Sequence, residues 1–171
     1  MEKTVQKNYL YKGKIVSLRC DDAVLPDGKP CKREIVEHNG GAAILCVENG
    51  QVVLVRQFRY AYGEELLEIP AGKLECGEDP MKAAMRELEE ETGLKAEKLN
   101  LIFTLYPTPG YTNEKIYIYE AHGIIVGAQH LDEDEFLSVV RVPVQEAVAM
   151  VKRGEICDSK TIAALLYLAA K

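Results

Sequence analysis

The sequence predicts an α/β domain, a mixed sheet carrying helices on its faces, with a small antiparallel β region at the N-terminus. Three observations predict it. Short runs of strand formers alternate with turn residues through the first half. One helix in the middle is marked at both ends by capping residues. Two further helical segments close the chain.

Lys14 to Val24 is rich in strand formers, Pro26-Asp27-Gly28 supplies a turn, and Arg33 to His38 returns as a strand. Gly41 to Val47 is an apolar run suited to a buried strand. Asn49-Gly50 separates it from Gln51 to Phe58, a hairpin signal because both central residues of a type I′ turn need positive φ. After Leu66-Leu67-Glu68-Ile69, Pro70 to Asp79 reads as a loop. Pro80 to Thr92 reads as a helix: Asp79 caps it, Pro80 suits its first position, and Gly93 ends it. Strands are expected at Leu99 to Leu105, Lys115 to Ala121 and Phe136 to Val142. Helices are expected at Val144 to Arg153 and Ser159 to Ala170, the last with Asp158 as its cap.

At 171 residues, the chain is expected to fold as one domain with a small N-terminal appendage. A net charge of −6 argues against a nucleic-acid groove or an anionic membrane as main partner, since both need clustered Lys and Arg. A small anionic substrate remains compatible, because a bound cation or a few placed arginines reverse the local field. No apolar run has the length of a membrane span, and Met1-Glu2-Lys3-Thr4 lacks a signal-peptide core. Five scattered cysteines with no CxxC pair read as free thiols of a cytoplasmic protein. His38, His122 and His130 form no ligand pattern.

The chemistry concentrates between Gly72 and Leu94. On the expected helix, Met81, Ala84, Met85 and Leu88 form an apolar stripe, and Glu87, Glu90 and Glu91 share a face roughly a third of a turn away. Helical spacing alone leaves two readings. One is a solvated acidic face, the usual meaning of a charge run. The other is a site for a hard divalent cation.

The spacing of the whole segment separates them. It runs Gly72, five residues, Glu78, seven residues, Arg86-Glu87-Leu88, one residue, Glu90-Glu91, one residue, Gly93-Leu94. Residue types at about 5–7% usage coincide this way by chance well below ~10⁻⁶ per chain. The segment resembles the Nudix signature at every defined position. The resemblance implies a Nudix-type α/β/α sandwich and hydrolysis of a pyrophosphate bond with Mg²⁺, Mn²⁺ being the alternative. It implies metal ligands at Glu87 and Glu91, Glu90 as a ligand or water partner with a catalytic part, and the Ala71 carbonyl as a further ligand. Arg86 would orient Glu90. Gly72 and Gly93 would serve backbone turns, and Glu78 would be a structural part of the motif.

The flanks resemble the ADP-ribose pyrophosphatase branch, an activity of nucleotide-sugar metabolism. Glu68-Ile69-Pro70-Ala71-Gly72 matches its lead-in. Thr108-Pro109-Gly110-Tyr111-Thr112-Asn113-Glu114 is similar to its Ser-Pro-Gly-x-x-x-Glu loop, with Thr replacing Ser. Leu131 to Phe136 resembles its acidic loop. By position, Glu133 would be the general base, with Glu135 the rival. Arg59, Arg33, Glu114 and Glu68 would be substrate-binding, Arg59 at the phosphates. The residue that stacks on adenine has no identifiable counterpart. Residues 1–38 would form a β-rich region that packs across a homodimer and lends Arg33 to its partner, with 39–171 as the hydrolase domain. The expected reaction is ADP-ribose, or a related ADP-sugar, to AMP and ribose 5-phosphate. The alternatives are a diphosphatase for GDP-mannose or another nucleotide sugar, and a non-catalytic ADP-ribose sensor.

Overall fold

The computed structural model describes residues 1–131 and 136–171. The chain divides into two compact units, Met1–Gly40 with Tyr106–Lys115, and Gly41–Leu105 with Ile116–Lys171.

The smaller unit is a four-stranded antiparallel sheet. Its centre is β3 (Ser17–Val24), flanked on one side by β4 (Pro30–Glu37) and on the other by β1 (Lys3–Gln6) and β2 (Tyr9–Lys12), which share that edge end to end. The β3–β4 connection closes where the sequence places a turn. Gly28, at φ 88°, donates to the Leu25 carbonyl at 2.9 Å. β1 and β2 were not foreseen in the sequence. Every one of their residues is exposed, so no alternating burial marks them. Asn8 joins them to β3, its amide donating to Asp22 Oδ2 at 2.8 Å and to the Cys20 carbonyl at 3.2 Å. The loop between Tyr106 and Lys115 docks on β4, where Val36 N–H donates to the Tyr111 carbonyl at 2.8 Å.

The larger unit holds two sheets. The mixed one runs β10 (Leu94–Leu105), β11 (Ile116–Val126), β5 (Gly41–Leu45), β9 (Ala71–Lys73), with only the β11–β5 pair parallel. The antiparallel one centres on β7 (Gln51–Arg59), paired with β12 (Leu137–Pro143), β6 (Val47–Glu48) and β8 (Glu64–Glu68). The β6–β7 hairpin turns at Asn49 (φ 49°) and Gly50 (φ 75°), as the Asn-Gly pair predicts. β9 lies inside the stretch expected to be loop. Its three residues are too few to show a period.

Period-two alternation sorts the core. Ala42, Ile44 and Cys46 of the β5 segment, with Val53, face one cluster that includes Ala83, Ala84 and Leu88 of α1 (Pro80–Thr92). Ala43, Leu45, Val52 and Leu54 face the other, with Ala147 of α2 (Val144–Arg153) and Ala164 and Leu165 of α3 (Ser159–Ala169). The result is an α/β/α arrangement. Asp79 caps α1 by accepting from Met81 and Lys82 N–H at 2.9 and 3.1 Å, and Gly93 closes it. Among the described residues, no helix is long and apolar enough to cross a membrane, and the five cysteines are unpaired.

The apolar stripe of α1 is only partly buried. Met81 and Met85 are exposed, and the helix buries Ala83, Ala84, Glu87, Leu88 and Glu91. Two alanines at the contact let the helix lie close to the sheet. That rotation turns two carboxylates inward and leaves the flexible methionines at the rim.

Candidate active site

The site begins where β8 leads into β9. The Pro70 carbonyl accepts from Ile44 N–H at 2.8 Å, which ties the connection to β5. Ala71 N–H then donates to Glu91 Oε2 at 2.9 Å. Gly72 lies directly under Glu87: a Cβ at this position would sit 1.9 Å from the Glu87 carboxyl carbon. The glycine is required by that close approach, since any side chain would displace the carboxylate. Backbone from β9 and two carboxylates from α1 therefore meet at one place, with Glu87 at 7% and Glu91 at 2% exposure.

Arg86 organises the rim of this group. Its Nη1 donates to Glu87 Oε1 and to Glu90 Oε2, both at 2.8 Å, so it orients Glu87 as well as the expected Glu90. Its other edge reaches Glu78 at 3.4 Å. Glu78 in turn closes its own loop, Oε2 accepting from Glu75 N–H at 2.9 Å. Burial works against the Arg86 charge, but the neighbouring carboxylates outweigh it and hold the guanidinium above its ordinary pKa. Among the described residues, no three of His, Cys, Asp and Glu stand together as a ready metal cage. The donor set nevertheless suits a hard cation: it is all oxygen, it is anionic, and the Gly72 cradle keeps a backbone edge against the carboxylates.

The far end of α1 is tied to the segment that precedes the acidic run. Gly127 N–H donates to the Gly93 carbonyl at 2.6 Å, His130 N–H to Glu90 O at 3.0 Å, and the Gln129 side chain to Glu91 O at 2.6 Å. Gly93, at φ 68°, has Gln129 N only 3.0 Å from where a Cβ would stand. Glu133 and Glu135, the two candidates for the base, lie outside the described residues.

A second charged group forms at the end of β8. Glu68 is 2% exposed and receives Arg59 as a fork, Nε on Oε1 at 2.5 Å and Nη2 on Oε2 at 2.7 Å. Lys160 of α3 is itself buried. It also pairs with Glu68 Oε2, and lies 3.1 Å from Asp158. Burial alone would push the Glu68 carboxyl up, but Arg59 and Lys160 outweigh it and hold the pKa at about 2. Lys160 was missed in the sequence. Its only signal there is a cation in the first turn of an otherwise apolar helix.

The two remaining candidates belong to the smaller unit. Arg33 is half-exposed on β4 and paired with Glu2, its Nη2 at 2.5 Å. Glu114 ends the docked loop, 3.4 Å from His38 Nδ1. Within that unit Arg19, Asp21, Arg33 and the Pro109–Asn113 segment line a cleft of about 430 Å³.

Comparison with known proteins identifies the family. A family model described as NUDIX domain matches residues 37–165, and one described as nucleoside diphosphate sugar hydrolase N-terminal domain matches residues 2–36. The chain is 43% identical to an ADP-ribose pyrophosphatase of Bacillus subtilis (strain 168), over 99% of this chain and 94% of that protein. It is 42% identical to a methanol dehydrogenase activator of Bacillus methanolicus, over 98% and 92% of the two chains. A crystal structure of an ADP compounds hydrolase superposes with a TM-score of 0.86 at 21% identity, over 99% of this chain and 92% of that one, a likeness of fold. The signature segment, its cradle of backbone and carboxylates, and a family match spanning most of the sequence agree: this chain belongs to the Nudix family.

Proposed function

We propose that the chain hydrolyses the pyrophosphate bond of ADP-ribose, or a related ADP-sugar, to AMP and ribose 5-phosphate. The observation that carries this reading is the convergence of the Ala71–Gly72 backbone with the inward-facing carboxylates of Glu87 and Glu91. The name of the Bacillus subtilis relative supports the choice of substrate.

In this reading the Ala71 carbonyl, Glu87, Glu90 and Glu91 hold Mg²⁺, or Mn²⁺ in its place. When bound, the cation neutralises the diphosphate and eases deprotonation of the attacking water. The rest falls to the chain. Arg86 keeps Glu87 and Glu90 in register by holding one oxygen of each. Arg59, fixed by Glu68, offers its half-exposed guanidinium to the phosphates. Arg33 and Glu114 bind other parts of the substrate. Glu133 takes the proton of the attacking water, with Glu135 the rival for that role. Residues 1–38 mediate a homodimer that shares Arg33 between sites, with 39–171 as the hydrolase domain. Free thiols fit a cytoplasmic enzyme.

A substrate panel tests this directly: ADP-ribose, ADP-glucose, GDP-mannose, NADH, diadenosine polyphosphates and 8-oxo-dGTP, each with Mg²⁺ and with EDTA. Fastest cleavage of ADP-ribose to AMP and ribose 5-phosphate, stopped by EDTA, is expected. Preference for GDP-mannose would move the substrate while keeping the chemistry. Binding of ADP-ribose without turnover would favour a sensor. Glu133→Gln and Glu135→Gln should differ sharply in kcat, and the more damaging one identifies the base.

A further inference from the structure

The first turn of α3 grips the strand that leads into the signature, although the two are far apart in sequence. Thr161, wholly buried, accepts from Ile69 N–H at 2.8 Å through Oγ1 and donates that hydroxyl to Asp158 Oδ2 at 2.6 Å. One residue earlier on each side of this contact, Lys160 meets Glu68. Glu68 Oε2 is thus shared between Lys160 and Arg59 Nη2, while Oε1 takes Arg59 Nε. Arg59 is the most exposed of the three. Its side chain is 39% exposed, against 9% for Lys160 and 3% for Glu68.

Lys160 directs its ammonium at Glu68 and Asp158, and a buried ammonium is a poor way to gain stability. Its position gives it a different use. A carboxylate held by one arginine alone can rotate with it. A second cation behind Oε2 fixes the plane of the carboxylate, and the bidentate fork then fixes the plane of the guanidinium.

We propose that Lys160 is a positioning residue: by clamping Glu68 from the side of α3, it sets the orientation in which Arg59 is presented to the diphosphate. This rests on the role given to Arg59 under the proposed function.

The test is a double-mutant cycle with ADP-ribose and Mg²⁺, using Lys160→Met, Arg59→Ala and the pair. The dissociation constant of α,β-methylene-ADP-ribose in EDTA and the Tm are measured on each. Lys160→Met should lower kcat/KM by about 10-fold to 100-fold, mostly through KM, as misplacement of a substrate-holding group does. It should weaken analogue binding by a similar factor. The pair should be no worse than Arg59→Ala alone, because both changes act through one guanidinium. Lys160→Gln, which removes the charge but keeps a donor for Glu68, carries the same cycle if Lys160→Met does not fold, with a smaller loss in the same direction expected. Losses that multiply in the pair, or unchanged analogue binding in Lys160→Met beside a lowered Tm, would reduce Lys160 to a structural residue. If Arg59→Ala itself retains the original kcat/KM, the fault lies with the Arg59 assignment. If only Arg59→Ala is impaired, the Lys160 inference alone falls.

Discussion

Two charged groups in the larger unit are built in opposite senses. On α1 one arginine, Arg86, is divided among three glutamates, Glu78, Glu87 and Glu90. At the end of β8 one glutamate, Glu68, is divided between two cations, Arg59 and Lys160. The first group gathers carboxylates around one guanidinium, and under the proposed function it holds the cation. The second holds a cationic edge in a fixed plane, which suits a phosphate. A short piece of chain, Glu68 to Gly72, joins them. Its side chain begins the second group and its backbone completes the first. Under the proposed function, the same few residues would set both the cation site and the phosphate contact.

The contrast can be broken first on its anionic side. Glu91→Gln keeps the shape that accepts from Ala71 N–H but removes the charge. It should lower kcat by about 10²- to 10³-fold, the scale of losing one electrostatic group at a reacting centre. Steady-state kinetics with Mg²⁺, and an unchanged circular dichroism spectrum, check it. A rate near that of the unmodified protein would remove the metal-site assignment.

Next is Glu68. Its carboxyl is held at about 2 against an ordinary 4.5, so its folded pKa is depressed. The stability it contributes is complete above pH 4.5 and is lost as pH falls toward about 2. The shift corresponds to roughly 3 kcal/mol. Glu68→Gln should therefore be less stable at neutral pH, with the difference from the unmodified protein shrinking across that window. Urea unfolding at several pH values measures this. A difference independent of pH would mean that the two cations do not depend on the Glu68 charge.

Gly72→Ala sharpens the comparison from the backbone side. The new methyl would meet the Glu87 carboxylate at 1.9 Å, so either the strand or the glutamate must move. A cost of about 2 kcal/mol in stability is expected, with kcat reduced while Arg59-dependent binding of the methylene analogue is spared. Loss of binding with kcat unaffected would reverse the assignment of the two groups.

The smallest effect separates the two helix caps. Asp79→Ala removes acceptors for Met81 and Lys82 N–H only and should cost about 1 kcal/mol. Asp158→Ala removes the cap of α3 together with the Thr161 hydroxyl bond and the Lys160 contact. It should cost more, and thermal unfolding of both variants ranks them. Equal costs would show that the α3 network adds nothing beyond capping.

Legibility in the sequence followed distance along the chain. α1 was readable to its first and last residue because Asp79, Pro80 and Gly93 act on their immediate neighbours. The Asn49-Gly50 turn was readable for the same reason. The extra strands were not: β1 and β2 expose both faces, and β9 is a strand only because β5 pairs with it. Within α1 the spacing of Met81, Ala84, Met85 and Leu88 left the buried face open, since periodicity fixes which residues share a side but not which side meets the sheet.

The sequence by itself determined the local geometry and the signature, since caps, turns and helical spacing depend on residues a few positions apart. Only the tertiary structure decided that Glu87 turns inward over Gly72 and Glu91 onto Ala71 N–H, and that Lys160 reaches Glu68 across 92 positions. Those outcomes depend on burial: a charge removed from water must find its partner wherever the fold supplies one, and nothing in the neighbouring residues says where that will be.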